Sequence, residues 1–384
     1  MGDKLVEYDI IIVGSGPAGT STALHLAQLS PDLAQRTLIL ERERHPRPKL
    51  CGGGILQDAE FILQRLGLDL TKVPHVDVHE ARFLFEGRGF CIKREPVTFR
   101  VIQRDEFDAW LVEAARARGL VVQEETHVLQ VRPTGDAVEV ETDQGTFLAR
   151  AVVGADGSKG VVRRVVSPEP NRRVAIPLEF VVPLDPEVMP PPEDRDRAYF
   201  DFSVLAESVQ GYVWNFPTQV EGQLMRNRGI YDGRVYPDRP HPNLRTVLRE
   251  ALAGEEIDLD DYALQGHPIH WFDPQGPFSA PGIILVGDAA GVDPTYGEGL
   301  SFALGYGELA AQELNGAFAR GDLSFAGYRA RILKHPMGRC LKRRVRVARL
   351  LYGIRSHSIQ RLLWWRFGPL LRWYIETFLM DWAK

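Results

Sequence analysis

Short apolar runs punctuate the chain and each ends in a turn. Ile10-Ile11-Ile12-Val13, Thr37–Leu40, Ala151-Val152-Val153 and Ile283-Ile284-Leu285 read as strands. Between the first two, Thr20–Leu29 reads as a helix with Ala23, Leu24 and Ala27 on one apolar side. A second helix is predicted over Leu56–Leu66, and strands over His79–Glu86, Phe90–Lys93, Val128–Val131, Val138–Thr142 and Phe147–Val153. Residues 171–270 are strand-rich, with a proline-rich excursion at Met189–Glu193. Within them Tyr212, Trp214 and Phe216 alternate, which puts three aromatics on one face of a strand. Such a face either packs a core or lines a flat apolar pocket. The pattern predicts an α/β chain, α+β overall.

The first turn is Gly14-Ser15-Gly16-Pro17-Ala18-Gly19, a G-x-G-x-x-G between strand and helix. Gly14 permits a tight turn, Gly16 lets backbone approach a pyrophosphate, and Gly19 lets helix and strand pack closely. The helix N-terminus then presents free N–H groups to phosphate. The second strand ends at Glu41, 22 residues beyond Gly19, where an acidic residue reaches a ribose hydroxyl. Strand, turn, helix, strand and acid in order predict a dinucleotide site. Gly305-Tyr306-Gly307-Glu308-Leu309-Ala310 also fits G-x-G-x-x-A, but no strand precedes it. Those glycines read as close packing inside a helix, so no second nucleotide fold is expected.

Two later turns, Gly154-Ala155-Asp156-Gly157-Ser158 and Gly287-Asp288-Ala289-Ala290-Gly291, follow strands in the same way. With the first turn they resemble the three fingerprints of FAD-dependent enzymes of the para-hydroxybenzoate hydroxylase type. The resemblance implies FAD as cofactor, with Asp156 near the nucleotide and Asp288 on a ribityl hydroxyl. The helix after Asp288 would aim its N-terminus at the flavin pyrimidine, where reduced flavin is anionic. Pro294, Gly297, Glu298, Gly299 and Leu300 follow, so backbone can lie against the ring.

Lys49-Leu50-Cys51-Gly52-Gly53-Gly54 and Tyr212-Val213-Trp214-Asn215-Phe216-Pro217 narrow the resemblance to the geranylgeranyl reductase family. There, a Cys-Gly-Gly-Gly turn and a Tyr-x-Trp-x-Phe-Pro strand flank the flavin and an isoprenoid channel. Thr218 departs from the family's usual Lys or Gly. The cofactor residues so implied are Gly14, Gly16, Pro17, Ala18, Gly19, Glu41, Arg42, Cys51, Gly52, Arg104, Asp156, Gly157, Gly287, Asp288, Pro294, Gly297, Gly299 and Leu300. Gly53, Gly54, Tyr212, Trp214 and Phe216 would meet substrate. Arg104, in a segment that resembles the family's nucleotide-contacting helix, is a phosphate or ring contact or else a surface ion pair. Cys51 either touches flavin or substrate or is an inert residue in a glycine turn.

The implied organisation is an FAD-binding Rossmann-like domain in three pieces (1–75, 100–170 and 271–335). A strand-rich substrate domain (76–99 and 171–270) is inserted into it, and a helical C-terminal region (336–384) follows. The implied reaction saturates carbon–carbon double bonds of a polyprenyl chain, with hydride from flavin. A proton must come from a group still protonated near pH 7; Cys51 and Tyr212 are the candidates. Electrons would come from NADPH visiting the flavin or from a donor protein such as ferredoxin. The rival readings are a flavin monooxygenase or halogenase, and a membrane-surface flavin electron carrier. Halogenases carry Trp-x-Trp-x-Ile-Pro, where this chain has Tyr212 and Phe216.

Composition changes the picture at one place. The formal net charge is −5, yet Arg331–Lys384 carries thirteen Lys/Arg and two acids, Glu376 and Asp381. Trp364, Trp365, Trp373 and Trp382 lie there too. Leu341, Val345, Ala348 and Tyr352 make one apolar stripe, with Lys342, Arg343, Arg344 and Arg346 mostly outside it. After Gly368-Pro369, residues Leu370, Leu371, Tyr374, Ile375, Phe378 and Leu379 make another. Such helices either lie on an anionic membrane or pack over the substrate domain. Nothing else supports nucleic-acid binding. Cys51, Cys91 and Cys340 make no metal spacing and no disulfide framework, so a reducing, cytoplasmic setting is expected, with the inner membrane face as a possible seat. No apolar run is long enough to span a membrane.

Overall fold

The computed structural model describes residues 8–168, 173–184, 195–255 and 257–384. The proline-rich excursion at 189–193 lies outside them. The first sheet is built on the predicted apolar runs. Ile283–Leu285, Gly145–Gly154, Tyr8–Val13, Thr37–Leu40 and Val121–Gln123 lie side by side and parallel. Alternation divides them between two cores. Ile10, Ile12, Ile39 and Val153 face one way, and Ile11, Val13, Leu38, Leu40 and Val152 the other. Both faces are covered, which is why these strands read as unbroken apolar runs. The pairing is in register at the carboxyl ends: Val13 stands opposite Leu40 and Gly154, and Gly154 opposite Leu285. The turns after these strands are thereby brought to one level.

A second sheet is mostly antiparallel. Its order is Gln265–Gly266, Val174–Pro183, Gln223–Asp232, Gly211–Val220, Arg197–Asp201, Glu80–Phe85 and Arg88–Lys93. Gly54–Leu56 and His75–Val78 both pair with the central strand Phe99–Ile102 in a third, small sheet. The Thr218 hydroxyl accepts from Gln103 Nε2 at 2.7 Å, tying the aromatic strand to the segment before the helix Arg104–Arg116.

Gly305 and Gly307 lie within the helix Leu300–Arg320. A Cβ on Gly307 would stand 2.4 Å from Ser21 Oγ and 2.6 Å from Thr22 N, in the helix Pro17–Leu29. A Cβ on Gly305 would stand 2.5 Å from the Trp382 ring. These glycines therefore serve helix packing and seat the C-terminal region.

That region is part buried and part exposed. Leu341, Val345, Ala348 and Tyr352 are buried, so the helix Pro336–Gly353 belongs to the core. Arg344 corrects the expectation that it lies outside the stripe. It is 2% exposed, with Nη1 2.7 Å from Asp293 Oδ2 and Nη2 donating to the Leu379 carbonyl at 2.6 Å. Helical spacing alone placed it beside the apolar stripe; a carboxylate from elsewhere in the chain draws it inward. The tryptophans split as well. Trp364 and Trp382 are buried, and Trp364 packs against Phe202 with ring centroids 4.6 Å apart. Trp365 and Trp373 are exposed. No helix among the described residues is long and apolar enough to cross a membrane.

The packing at Gly307 leads to a direct expectation. Gly307→Val should cost about 1–3 kcal/mol or more, the usual range for overpacking. Gly327→Ala, where a Cβ meets nothing within 4 Å, should stay within about 0.5 kcal/mol of the parent. Denaturant unfolding of both variants measures the difference; equal stabilities would contradict the role given to Gly307.

Candidate active site

A cavity of about 930 Å³ lies between the carboxyl ends of the first sheet and one face of the second. The first wall is made of turns. Gly14 has φ +101°, and a Cβ there would sit 2.5 Å from the Ala155 carbonyl oxygen, so only glycine fits. Gly16 caps the helix Pro17–Leu29 without a side chain, leaving its first-turn N–H groups open. A Cβ on Gly16 would meet only Arg47 Nη2, at 3.7 Å. The space before this backbone is empty, as a phosphate-bearing cofactor requires.

Glu41 ends the next strand. Its Oε2 accepts from Ser15 N at 3.0 Å and from Ser15 Oγ at 2.7 Å, and its Oε1 accepts from Glu43 N at 3.0 Å. Burial pushes this carboxyl up, but the Arg47 charge and these hydrogen bonds outweigh it and hold the group ionised. Asp156 accepts from Val162 N at 2.8 Å through Oδ2, while its buried Oδ1 has no partner among the described residues. Burial raises that carboxyl to about 6. Arg42, Gly157, Gly287, Asp288, Gly297, Gly299 and Leu300 line the same cavity. Arg104 does too, and it is no surface pair: its side chain is 10% exposed and holds the buried Asp108 through two bonds of 2.8 and 2.9 Å.

Two expected residues stand behind the wall rather than on it. Gly19 packs the helix on the strand; a Cβ there would lie 2.0 Å from the Gly14 carbonyl oxygen. Pro294 turns its carbonyl to Tyr231 Oη, which donates at 3.1 Å.

The second wall is aromatic. Tyr212, Trp214 and Phe216 line the cavity together with Phe83 and Phe200. Core and pocket are the same face: all of these rings but the half-buried Phe200 are nearly inaccessible to solvent, yet they form the cavity side of the sheet. Cys51, Gly52, Gly53 and Gly54 pass in front of them. The Cys51 N–H donates to Glu179 Oε1 at 2.7 Å, and the Cys51 carbonyl accepts from Asn227 Nδ2 at 3.3 Å. Asn227 in turn accepts from Trp214 Nε1 at 2.8 Å. Tyr212 Oη donates to the Tyr296 carbonyl at 2.5 Å. Ile375, Leu379 and Met380 of the C-terminal region close part of the apolar side.

Glu179 and Asn227 were not foreseen. Glu179 is a lone acid in the apolar stretch 174–183, which is a usable signal: a carboxylate is seldom buried in a strand without a task. Asn227 carries no comparable mark.

Three glycine turns at the ends of parallel strands, facing an apolar chamber, define a flavin-dependent oxidoreductase. The chain belongs to the FAD binding domain family, which it matches over residues 7–211, and FAD is its cofactor. A digeranylgeranylglycerophospholipid reductase of Methanopyrus kandleri is 29% identical over 83% of this chain and 80% of its own. A geranylgeranyl diphosphate reductase of Rhodobacter capsulatus is 28% identical over 80% and 75%. Among solved structures, a geranylgeranyl bacteriochlorophyll reductase-like protein of Thermoplasma acidophilum superposes with a TM-score of 0.70. It is 21% identical, over 97% of this chain and 99% of its own. The L111Y mutant of halogenase PltM in complex with FAD gives 0.69 at 16% identity, over 96% and 83%. At these identities the structures share the fold.

Because the space before Gly16 is open, Gly16→Val should leave the polypeptide folded and exclude the cofactor. The expected outcome is a colourless protein with a parental far-ultraviolet circular dichroism spectrum. Full flavin content in that variant would remove the first turn from the cofactor site.

Proposed function

We propose that this protein is an FAD-dependent reductase that saturates carbon–carbon double bonds of a polyprenyl chain. The observation that carries the reading is the cavity itself, with cofactor turns on one wall and an aromatic face on the other. The names of the relatives in Methanopyrus kandleri and Rhodobacter capsulatus support the same substrate class.

In this reading Gly14, Gly16, Pro17 and Ala18 hold the pyrophosphate, and Glu41 and Arg42 the adenosine ribose. Asp156, Gly157 and Arg104 flank the nucleotide. Gly287 and Asp288 hold the ribityl chain. Gly297, Gly299 and Leu300, with the N-terminus of the helix Leu300–Arg320, stand against the pyrimidine. Reduced FAD supplies hydride. Cys51-Gly52-Gly53-Gly54 faces it, and Tyr212, Trp214 and Phe216 exclude water and hold the alkene. Electrons come from NADPH or from a donor protein such as ferredoxin. The Gly305–Ala310 motif lies inside a helix and offers no second dinucleotide fold.

Anaerobically, the photoreduced holoprotein should transfer hydrogen to a geranylgeranyl chain, with two hydrogens gained per double bond by mass spectrometry. Oxygen-dependent hydroxylation of a substrate, with no anaerobic reduction, would replace this reading by a monooxygenase.

The same reading places the protein on the inner face of the membrane, where a polyprenyl lipid resides. Seven of the eleven exposed large apolar side chains among the described residues lie between Leu350 and Trp373. Arg355, Arg361, Arg366 and Arg372 lie exposed among them. Each such cation near anionic lipid contributes about 1 kcal/mol, falling off within a Debye length. Sedimentation with phosphatidylserine-containing liposomes should show binding that weakens with salt and falls further in Trp365→Ala/Trp373→Ala. The buried Trp364 is the wrong residue to replace. Absence of binding at low salt would leave this face to another partner.

A further inference from the structure

Directly paired residues on neighbouring strands share a face of the sheet. One such row crosses five strands of the second sheet: Phe83 opposite Phe200, Phe200 opposite Trp214, Trp214 opposite Gly229, and Gly229 opposite Glu179. At Gly229 there is no side chain. A Cβ there would lie 2.4 Å from Trp214 Cζ2, so the indole lies across this glycine on the Glu179 side. The row is therefore a continuous aromatic surface that ends in one carboxyl group, and its aromatic members and Glu179 line the cavity.

Glu179 is buried, and its Oε1 is committed to the Cys51 N–H at 2.7 Å. Its other oxygen has no hydrogen bond or ion pair among the described residues. The charged and titratable groups that face it are Lys49 and Cys51 on the glycine turn, Arg104 on the helix Arg104–Arg116, and His267 beyond Gln265–Gly266. Burial holds His267 neutral, at about 4, and pulls the Lys49 ammonium down. Burial also pushes the Glu179 carboxyl up, to about 7, against the opposing pull of the Cys51 N–H, Lys49 and Arg104.

We propose that Glu179 is the acid of the reaction, giving its proton to the alkene carbon that does not receive hydride. The inference rests on the polyprenyl reading above. The step balances. The π bond breaks and two C–H bonds form, one from hydride of reduced FAD and one from the Glu179 O–H. The flavin is oxidised by two electrons, the chain is reduced by two, and Glu179 is left as a carboxylate for water to reprotonate.

Tyr212 and Cys51 stand on the same wall but are weaker acids here. Burial raises both, and the Tyr212 hydroxyl already donates to the Tyr296 carbonyl. A general acid works best when it titrates near the working pH, and Glu179 does so. The protonated form is the active one. The rate of hydrogen transfer is flat below about pH 7 and falls tenfold per unit above it.

The test uses FAD-loaded protein, reduced anaerobically by light and mixed with geranylgeranyl diphosphate or a digeranylgeranyl phospholipid. Glu179→Gln keeps an acceptor for the Cys51 N–H. It should retain full flavin content, slow chain saturation about 100-fold, and lose the pH dependence. Glu179→Asp should restore the pH dependence with part of the rate. Independently of turnover, infrared titration of the substrate-free holoprotein should show a carboxylic acid carbonyl band that vanishes near pH 7 and is missing from Glu179→Gln. Chain saturation by Glu179→Gln at the parental rate and pH profile overturns the inference alone. So does a parental protein without that band. A parental protein that saturates no polyprenyl chain overturns the function reading, and the inference with it.

Discussion

The ion pair between Arg344 and Asp293 holds the site together. Both side chains are almost wholly buried, 2.7 Å apart, and each makes further hydrogen bonds. Removing two charges from water is costly, and the cost is offset only when geometry and hydrogen bonding are nearly complete. Here Asp293 also accepts from Thr295 N at 2.7 Å and from Tyr296 N at 3.1 Å, which folds residues 293–296 around the carboxylate. Arg344 returns to the same loop through its carbonyl, which accepts from Thr295 Oγ1 at 2.8 Å. Tyr352 Oη donates to the Thr295 carbonyl at 2.6 Å. From the opposite side, Tyr212 and Tyr231 donate to the carbonyls of Tyr296 and Pro294. One loop is thus gripped at once by the C-terminal region and by the aromatic sheet. It leads directly into Gly297-Glu298-Gly299 on the cavity wall, so the position of this cavity-lining backbone depends on a helix some fifty residues further along the chain.

The aromatic wall depends on a second constraint, at Gly229. A side chain there would run into the Leu178 carbonyl oxygen at 2.2 Å as well as the Trp214 ring. The glycine lets the indole lie flat over the strand and frees its N–H for Asn227. Asn227 and Glu179 then fix the two backbone polar groups of Cys51. The Cys-Gly-Gly-Gly turn is docked on the sheet through its backbone, while the Cys51 sulfur accepts from the Gly53 N–H at 3.4 Å within the turn. Gly53, with φ +76° and a hypothetical Cβ 2.2 Å from the Ile102 carbonyl oxygen, shows the same close approach on its other side.

These constraints explain what could be read from the chain. The glycine turns are local: strand, turn and helix lie within a dozen residues, and the requirement for glycine is written where it acts. Their convergence at one level follows from parallel pairing, so the turns that line this wall of the cavity could be read from the chain. Gly19 and Pro294 were misplaced only by one layer, since a fingerprint does not say which of its members faces the ligand. The aromatic wall was half legible. Alternation gave the face of Tyr212, Trp214 and Phe216, but the partners of that face come from strand register, which alternation does not contain. Glu179 joins Cys51 across 128 residues, and Asn227 joins it across 176. Arg344 shows the same limit: helical spacing gives a side chain's direction, while Asp293, 51 residues earlier, decides whether that direction leads into water.

The C-terminal segment packs on the protein through one side and carries exposed apolar side chains on the other. The helix Gly368–Phe378 has Ile375 on the cavity wall, and beyond its end Leu379 and Met380 follow it there. Its outer side carries Leu370 and Trp373, both more than half exposed. A helix apolar on one side is satisfied by packing on a protein; one apolar on both sides needs an apolar medium on each. The protein supplies the inner medium through the cavity and leaves the outer side to its surroundings. This helix is therefore a thin partition between the chamber beside the cofactor turns and the exterior. The exposed Trp, Leu and Arg side chains of the C-terminal region cluster around that partition.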